Sequence, residues 1–220
     1  MVRVLLAAMV LTGWAASALA EPVRVGMVLT MSGPSSAYGR HARDGFMLAL
    51  KHLGGRLGPE TAQLSIADDG REQPRAASES EALIRRDKPQ FIIGPLFSEL
   101  MPPVLKAMDG SGAFLISPNA GPALLAGKRC RADVFVLSKQ DEQGIEVLAK
   151  FAEERNLKRA IIVASAGEEA EIAATAFKRA FKGEVADRLT LDARTDDFSD
   201  AINRIDLARP QAVFLHLSGP

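Results

Sequence analysis

The sequence has 220 residues, 47% hydrophobic and 25% charged, with 27 basic residues balanced by 27 acidic ones, a soluble globular composition. With no net positive charge and no basic block, it lacks the footprint of a protein that gains affinity by releasing counterions from phosphates, so nucleic acid is not an expected partner. Cys130 is the single cysteine and closes no disulfide within the chain, while His41, His52 and His216 show no ligand spacing, so neither a structural metal nor a cofactor is expected.

The first twenty residues read as an export signal and not as part of the fold. Arg3 gives a positive start, Val4 to Leu11 is almost unbroken apolar sequence, and Ala18-Leu19-Ala20 offers the small residues of a cleavage site, with cleavage expected after Ala20. The alternative is an uncleaved anchor. Against it, Val4 to Ala20 is interrupted by Thr12, Gly13 and Ser17 and is short for spanning about 30 Å of hydrocarbon. No cysteine lies near the cleavage point to accept a lipid, so the expected location is the periplasm, free of the membrane. An unpaired thiol in that oxidising compartment is a liability, and Cys130 is expected to be buried or to have its partner outside this chain.

Val23 to Leu29 is a β-rich run, and the loop from Ser32 to Gly39 leads from it into a helical stretch whose apolar residues Ala42, Phe46, Ala49, Leu50 and Leu53 recur at three- and four-residue steps. Gln63 to Ala67 is predicted as a second strand, ended by Asp68-Asp69-Gly70. Pro74 to Arg86 is a helix with proline in its first turn, where the missing N–H costs nothing. Phe91 to Ile93 is a buried strand, after which Ser98 is positioned to cap a helix running to Met108. Ala113 to Ile116 and Val134 to Val136 are two further extended runs. From Gln140 the chain predicts a helix to Glu154, then strand, helix, strand, helix and strand at Arg159 to Val163, Glu168 to Phe181, Val185 to Leu191, Phe198 to Leu207 and Ala212 to His216.

Strands alternating with helices at this spacing predict an α/β fold with parallel sheets covered on both faces, because each parallel connection must cross over the sheet. The expected division is a signal segment at 1–20, a first α/β lobe at 21–137 and a partial second lobe at 138–220, joined by a hinge strand and not by a flexible linker. Ala212 to His216 is apolar enough for a central strand, yet no crossover helix follows it, so the second lobe is expected to be incomplete. A small two-lobe protein ending on an edge strand is the alternative. An incomplete second wall is expected to bind ligand more weakly than a complete one and to expose apolar surface.

Reactive motifs are scarce. There is no nucleophile elbow, phosphate loop, dinucleotide turn or zinc-protease helix, so an enzyme is not expected. Asp68-Asp69 could bind a cation or exchange protons, but neighbouring side chains point apart, and turn capping is the favoured role. His216 ends a strand, where packing is the commoner role. The groups suited to a ligand lie on loops at the carboxyl ends of strands, where open α/β sheets bind small molecules. Ser98 would offer a hydroxyl and free backbone N–H groups to a carboxylate, with helix capping as the competing role, and Asn119 to Gly121 would offer a backbone carbonyl.

Val23-x-Val-Gly, Ser32-Gly-Pro with Tyr38-Gly39, Asp68-Asp69, Ile93-Gly94 and Ser117-Pro118, in that order, resemble the periplasmic leucine/isoleucine/valine-binding protein family, from Val23 to the end of the chain. The resemblance implies the type I periplasmic-binding-protein architecture, two Rossmann-like lobes with parallel sheets that close over a ligand. It also implies a receptor, monomeric when complete, that hands a small ligand to an inner-membrane ABC permease. Tyr38 matches the family's first-loop tyrosine, Ser98 the serine that holds the ligand carboxylate, and Asn119, Ala120 and Gly121 the stretch that holds carboxylate and ammonium. Gly121 departs from the hydroxyl residue common there, Glu169 falls where many members carry a tyrosine-glycine pair, and Ser218 stands near a position that is often aromatic. A branched-chain amino acid is the default ligand the resemblance implies. Gly127-Lys-x-Cys130 looks like relatives that take other carboxylates, aromatic acids included. A ligand-sensing lobe of a signalling system has the same cleft and is the alternative to transport.

Overall fold

Short, nearly unbroken apolar runs alternate with longer stretches whose apolar residues recur every three to four positions, and the chain folds accordingly into alternating buried strands and helices. The structure is a computed structural model that describes residues 21–122, 125, 126, 130–192 and 194–217. The first twenty residues and Gly127-Lys128 therefore lie outside the described residues, as does Ser218.

In chain order the elements are β1 (Val23–Leu29), α1 (Ser36–His52), β2 (Arg56–Leu57), β3 (Glu60–Asp68), α2 (Gln73–Asp87) and β4 (Phe91–Ile93). A 3₁₀ turn (Ser98–Leu100) then leads into α3 (Met101–Ala107), β5 (Phe114–Ser117) and β6 (Val134–Val136). After these come α4 (Asp141–Glu154), β7 (Arg159–Ser165), α5 (Glu168–Ala180), β8 (Glu184–Leu191), α6 (Ser199–Ala208) and β9 (Ala212–His216).

Two sheets form among the described residues. The first has the order β2-β3-β1-β4-β5-β6 and the second β8-β7-β9. All pairings are parallel except β2 with β3, where Arg56 faces Thr61 in a short antiparallel ladder. That β2 strand is absent from the sequence-based prediction because two residues between glycine turns carry no periodicity.

Alternation along the central strands explains why helices cover both faces of each sheet. On β1, Val28 joins Ile92, Leu115 and the α2 and α3 residues Leu83, Met101 and Val104 on one face. Met27 and Leu29 point the other way, toward Ala42 and Phe46 of α1. Strand β7 repeats the pattern, with Ile162 packing on Ala149 of α4 and Phe177 of α5, and with Ile161 and Val163 on Ala201 of α6. In the second core Phe177 stacks on Phe214 of β9 with ring centroids 4.3 Å apart.

Three sequence expectations differ from the structure. Of the predicted α1 face, Leu50 is buried and Ala42 and Phe46 are half-buried, but Ala49 and Leu53 are exposed, Leu53 because it lies past the helix end as its C-cap. Ser98 does not cap a helix. Phe97 precedes the 3₁₀ turn, Leu100 precedes α3, and neither terminus has a side-chain cap, because the Ser98 hydroxyl is engaged elsewhere. Cys130 is exposed and not buried, since it lies outside any strand or helix on the connection between β5 and β6, and such connections run over the surface. Along β9, Phe214 is buried while Val213 and Leu215 are 42% and 59% exposed, so only one face of that strand is covered.

Candidate functional site

The strand order reverses between β3-β1 and β4-β5 in the first sheet, and between β8 and β9 about β7 in the second. The loops leaving such switch points diverge and open a crevice at the carboxyl ends of the strands. Here the two crevices face each other. The cleft between them has a volume of about 360 Å³ and is lined from the first sheet's loops by Leu96, Phe97, Ser98, Glu99 and Asn119, and from the second unit by Asp141, Ile145, Glu169, Ile172 and His216.

The loop after β4 is held in place by backbone contact. A Cβ at Gly94, whose φ is +113°, would stand 2.0 Å from the Val28 carbonyl oxygen, so only glycine lets β4 turn this close to β1. The turn brings Ser98 over the loop after β5. There Ser98 Oγ accepts the Gly121 N–H at 3.2 Å and donates to Asp141 Oδ2 at 2.5 Å. Asp141 opens α4, and its own N–H donates to the Gly121 carbonyl at 3.0 Å. Ser98, Gly121 and Asp141 thus tie the two loops of the first sheet to the first turn of α4.

The carbonyls of the 119–121 stretch already have partners. Ser138 Oγ donates to Asn119 O at 2.6 Å and Ser117 Oγ to Ala120 O at 2.7 Å, while the Asn119 side-chain amide donates to Leu96 O at 2.9 Å. Each carbonyl keeps a second lone pair. At Gly121 an added Cβ would meet the Lys139 carbonyl oxygen at 2.6 Å, which gives a packing reason for glycine there.

The seven ligand candidates from the sequence distribute unevenly. Ser98, Asn119 and Glu169 line the one cleft. Tyr38 is 63% exposed and reaches it only through Phe97, against which it packs edge-on at 5.7 Å. Ala120 is buried behind the cleft, and Gly121 lines a neighbouring cavity of about 410 Å³ together with Cys130. Ser218 lies outside the described residues.

Sequence reasoning passed over Asp141 and Arg71. The Arg71 guanidinium lies 4.1 Å above the Phe97 ring, its Nε donates to Glu99 Oε1 at 2.9 Å, and Nη2 is 3.7 Å from Glu169 Oε2. A first-turn aspartate in α4 and an arginine directly after Asp68-Asp69-Gly70 were the available signals, but their partners are distant in sequence.

The acidic pair itself resolves into two separate anchors. Asp68 Oδ1 accepts the N–H groups of Met31 at 2.8 Å and Gly70 at 3.0 Å, and Oδ2 pairs with Arg75 at 2.5 Å. Burial opposes ionisation there, but the hydrogen bonds around Ser32, Met31 and Gly70 and the Arg75 charge outweigh it and hold the carboxyl below the usual range. Asp69 is fully buried. Its Oδ1 accepts from Thr30 Oγ1 at 2.5 Å and from the Arg71 N–H at 2.9 Å, while Oδ2 has no partner. Burial pushes the Asp69 carboxyl up, with Asp68 adding to the shift. Both residues shape the loops, as turn capping predicts, and neither lines the cleft.

Comparison with known proteins agrees with this geometry. A Leu/Ile/Val-binding protein of Rhizobium johnstonii is 29% identical over 199 residues, an alignment covering 87% of this chain and 53% of the relative. A solute-binding protein of an ABC transporter from R. palustris, solved in complex with benzoate, superposes with a TM-score of 0.76 at 27% identity, covering 90% of this chain and 56% of that one. An ABC transporter substrate-binding protein from Sphaerobacter thermophilus gives 0.78 at 28% identity, covering 90% and 55%. The chain spans about half the length of these relatives, and its architecture is that of type I periplasmic binding proteins. Residues 22–220 match the family described as Periplasmic binding protein, and the chain belongs to that family.

Proposed function

We propose that the cleft is the ligand site of a periplasmic solute receptor. It captures a small carboxylate-bearing molecule between the two α/β lobes, divided near residues 137 and 138, and delivers it to an ABC permease in the inner membrane. The observation that carries this reading is the convergence of Ser98, Asn119 and Glu169, from three separate elements, on one crevice at the carboxyl ends of both sheets. Tyr38 supports the cleft through its edge-on contact with Phe97, and Gly121 supports it through the hydrogen bond that its N–H donates to Ser98. The apolar side chains Leu96, Phe97, Ile145 and Ile172 suit a ligand with a hydrocarbon body.

Two ligand classes fit that description. A branched-chain amino acid is favoured by the Leu/Ile/Val-binding relative. An aromatic acid is favoured by the benzoate complex of the R. palustris neighbour and by the aromatic ring that Phe97 contributes to the wall. Export through a signal peptide cleaved after Ala20 supplies the location. Among the described residues, no helix is long and apolar enough to cross a membrane.

Thermal unfolding with L-leucine, L-isoleucine, benzoate and 4-hydroxybenzoate tests the proposal. A ligand that binds only the folded state stabilises it by RT ln(1 + [L]/Kd), about 2.7 kcal/mol at a hundredfold excess over Kd. A rise in melting temperature with one of these compounds is expected. Unchanged melting with carboxylates of both classes at millimolar concentration contradicts it.

A further inference from the structure

We infer that Arg71 is a positioning residue for ligand capture, a clasp that holds α5 of the second lobe over the first through Glu169; this rests on the cleft being the ligand site. Arg71, on the connection between β3 and α2, pairs with Glu169 of α5, so this ion pair spans the junction at β6.

The arrangement is built at some conformational cost. Arg71 adopts φ +60°, a left-handed backbone that side chains other than glycine, asparagine and aspartate seldom adopt. The strain is held in place because the Arg71 N–H donates to the buried carboxylate of Asp69 at 2.9 Å. This backbone throws the side chain across the first lobe. Its guanidinium stacks on Phe97, Nε donates to Glu99 at 2.9 Å, and Nη1 donates to Ser35 Oγ at 3.1 Å. One edge of the fork remains for Glu169, 3.7 Å away.

Exposed ion pairs are usually weak because both long side chains must be ordered to form them. Here three contacts within the first lobe have already ordered the arginine, and the planar guanidinium keeps its remaining donors aimed outward. Glu169 stands in the first turn of α5, with its side chain 62% exposed, and flanks a cavity of about 310 Å³ shared with Arg71, Glu99 and His216 beside the main cleft. A charge pair at this position adds to the closed state and to nothing in the open one, so it biases the equilibrium between them. A pair of this exposure is expected to change the closed-to-open ratio about two- to fivefold.

The test follows inter-lobe distance by energy transfer between dyes on Glu79→Cys in α2 and Lys178→Cys in α5, in a Cys130→Ser background of the full chain without ligand. Raising the salt from about 0.15 M to about 1 M shortens the screening length from roughly 8 Å to 3 Å and is expected to shift the protein toward longer distances. Glu169→Gln, a change at an exposed helical position, is expected to show the longer distance at low salt and little salt response. Arg71→Asn, which keeps a residue tolerant of the left-handed backbone, is expected to match it, and the double variant to add nothing further. Equal distances and equal salt responses in all four proteins would overturn the inference. Because the distances are read without ligand, this result is independent of whether L-leucine or benzoate binds.

Discussion

Ser98 and Asp141 are 43 positions apart and share one proton across the cleft, Ser98 Oγ donating to Asp141 Oδ2 at 2.5 Å. A hydroxyl has a single hydrogen to give, and in this structure Ser98 gives it to Asp141, so the residue proposed to seat the ligand carboxylate also links the β4 loop to α4. Losing a hydrogen bond to a charged group costs about 1.5 to 3 kcal/mol. A bound carboxylate would take that hydrogen in place of Asp141, so Ser98→Ala is expected to weaken binding of L-leucine or benzoate by about tenfold or more, measured by calorimetry. An unchanged Kd removes Ser98 from the site.

Asp68 and Asp69 give opposite pH signatures. The folded carboxyl of Asp68 is held below its ordinary value of 3.8, so its stabilisation is present above that pH and is lost as pH falls through the folded pKa. Asp68→Asn is expected to cost about 1 to 2 kcal/mol near neutrality, discounted for partial exposure, and progressively less in acid. Asp69 is raised above 3.8, so its contribution is fully present below that pH and is lost as pH rises through the folded value. Asp69→Asn should therefore gain stability relative to the wild type as pH rises from acid to neutral. Denaturant titrations at several pH values read both slopes, and parallel curves for wild type and Asp69→Asn contradict the assignment.

Gly121 tests whether glycine beside the cleft is a matter of packing. A side chain there would press a Cβ to 2.6 Å from the Lys139 carbonyl, and overpacking of this kind typically costs about 1 to 3 kcal/mol. Gly121→Ser is expected to lower the melting temperature without improving leucine affinity. A gain in affinity at unchanged stability would show that the loop has room for the hydroxyl.

Export makes a separate prediction from Arg3, the apolar run and Ala18-Leu19-Ala20. Intact mass of the secreted product should begin at Glu21. Retention of Met1 in the membrane fraction contradicts cleavage.

Much of the fold was legible because short apolar runs and the 3.6-residue helical period are local signals. Phe91–Ile93, Val134–Val136 and Ala212–His216 occur as strands with the bounds the sequence predicts, and α2 and α4 differ from theirs by a residue at most at each end. The site was legible only in part, because its connections are not local. Ser98 looked like a helix cap from its neighbours alone, whereas its partners are Gly121 and Asp141, brought near by the β5 loop and α4. Arg71 carried no motif, and its role became visible only when Phe97, Glu99 and Glu169 converged on one guanidinium. Cys130 looked like a thiol to be buried, and nothing local in the sequence reports that its connection runs over the surface.

The most direct test is a titration of the full chain, followed by amide proton–nitrogen correlation spectra, with L-leucine in one series and benzoate in another. Millimolar ligand reveals contacts even when affinity is modest, since a Kd of 1 mM still corresponds to about −4.1 kcal/mol. Saturable shifts are expected at Ser98, Asn119 and Glu169, lost in Ser98→Ala, with the region around Val185 and Arg188 on the far side of the second sheet unmoved. Spectra that do not change with either ligand, or shifts that gather around Val185 while Ser98 stays still, would contradict a ligand site between the two sheets.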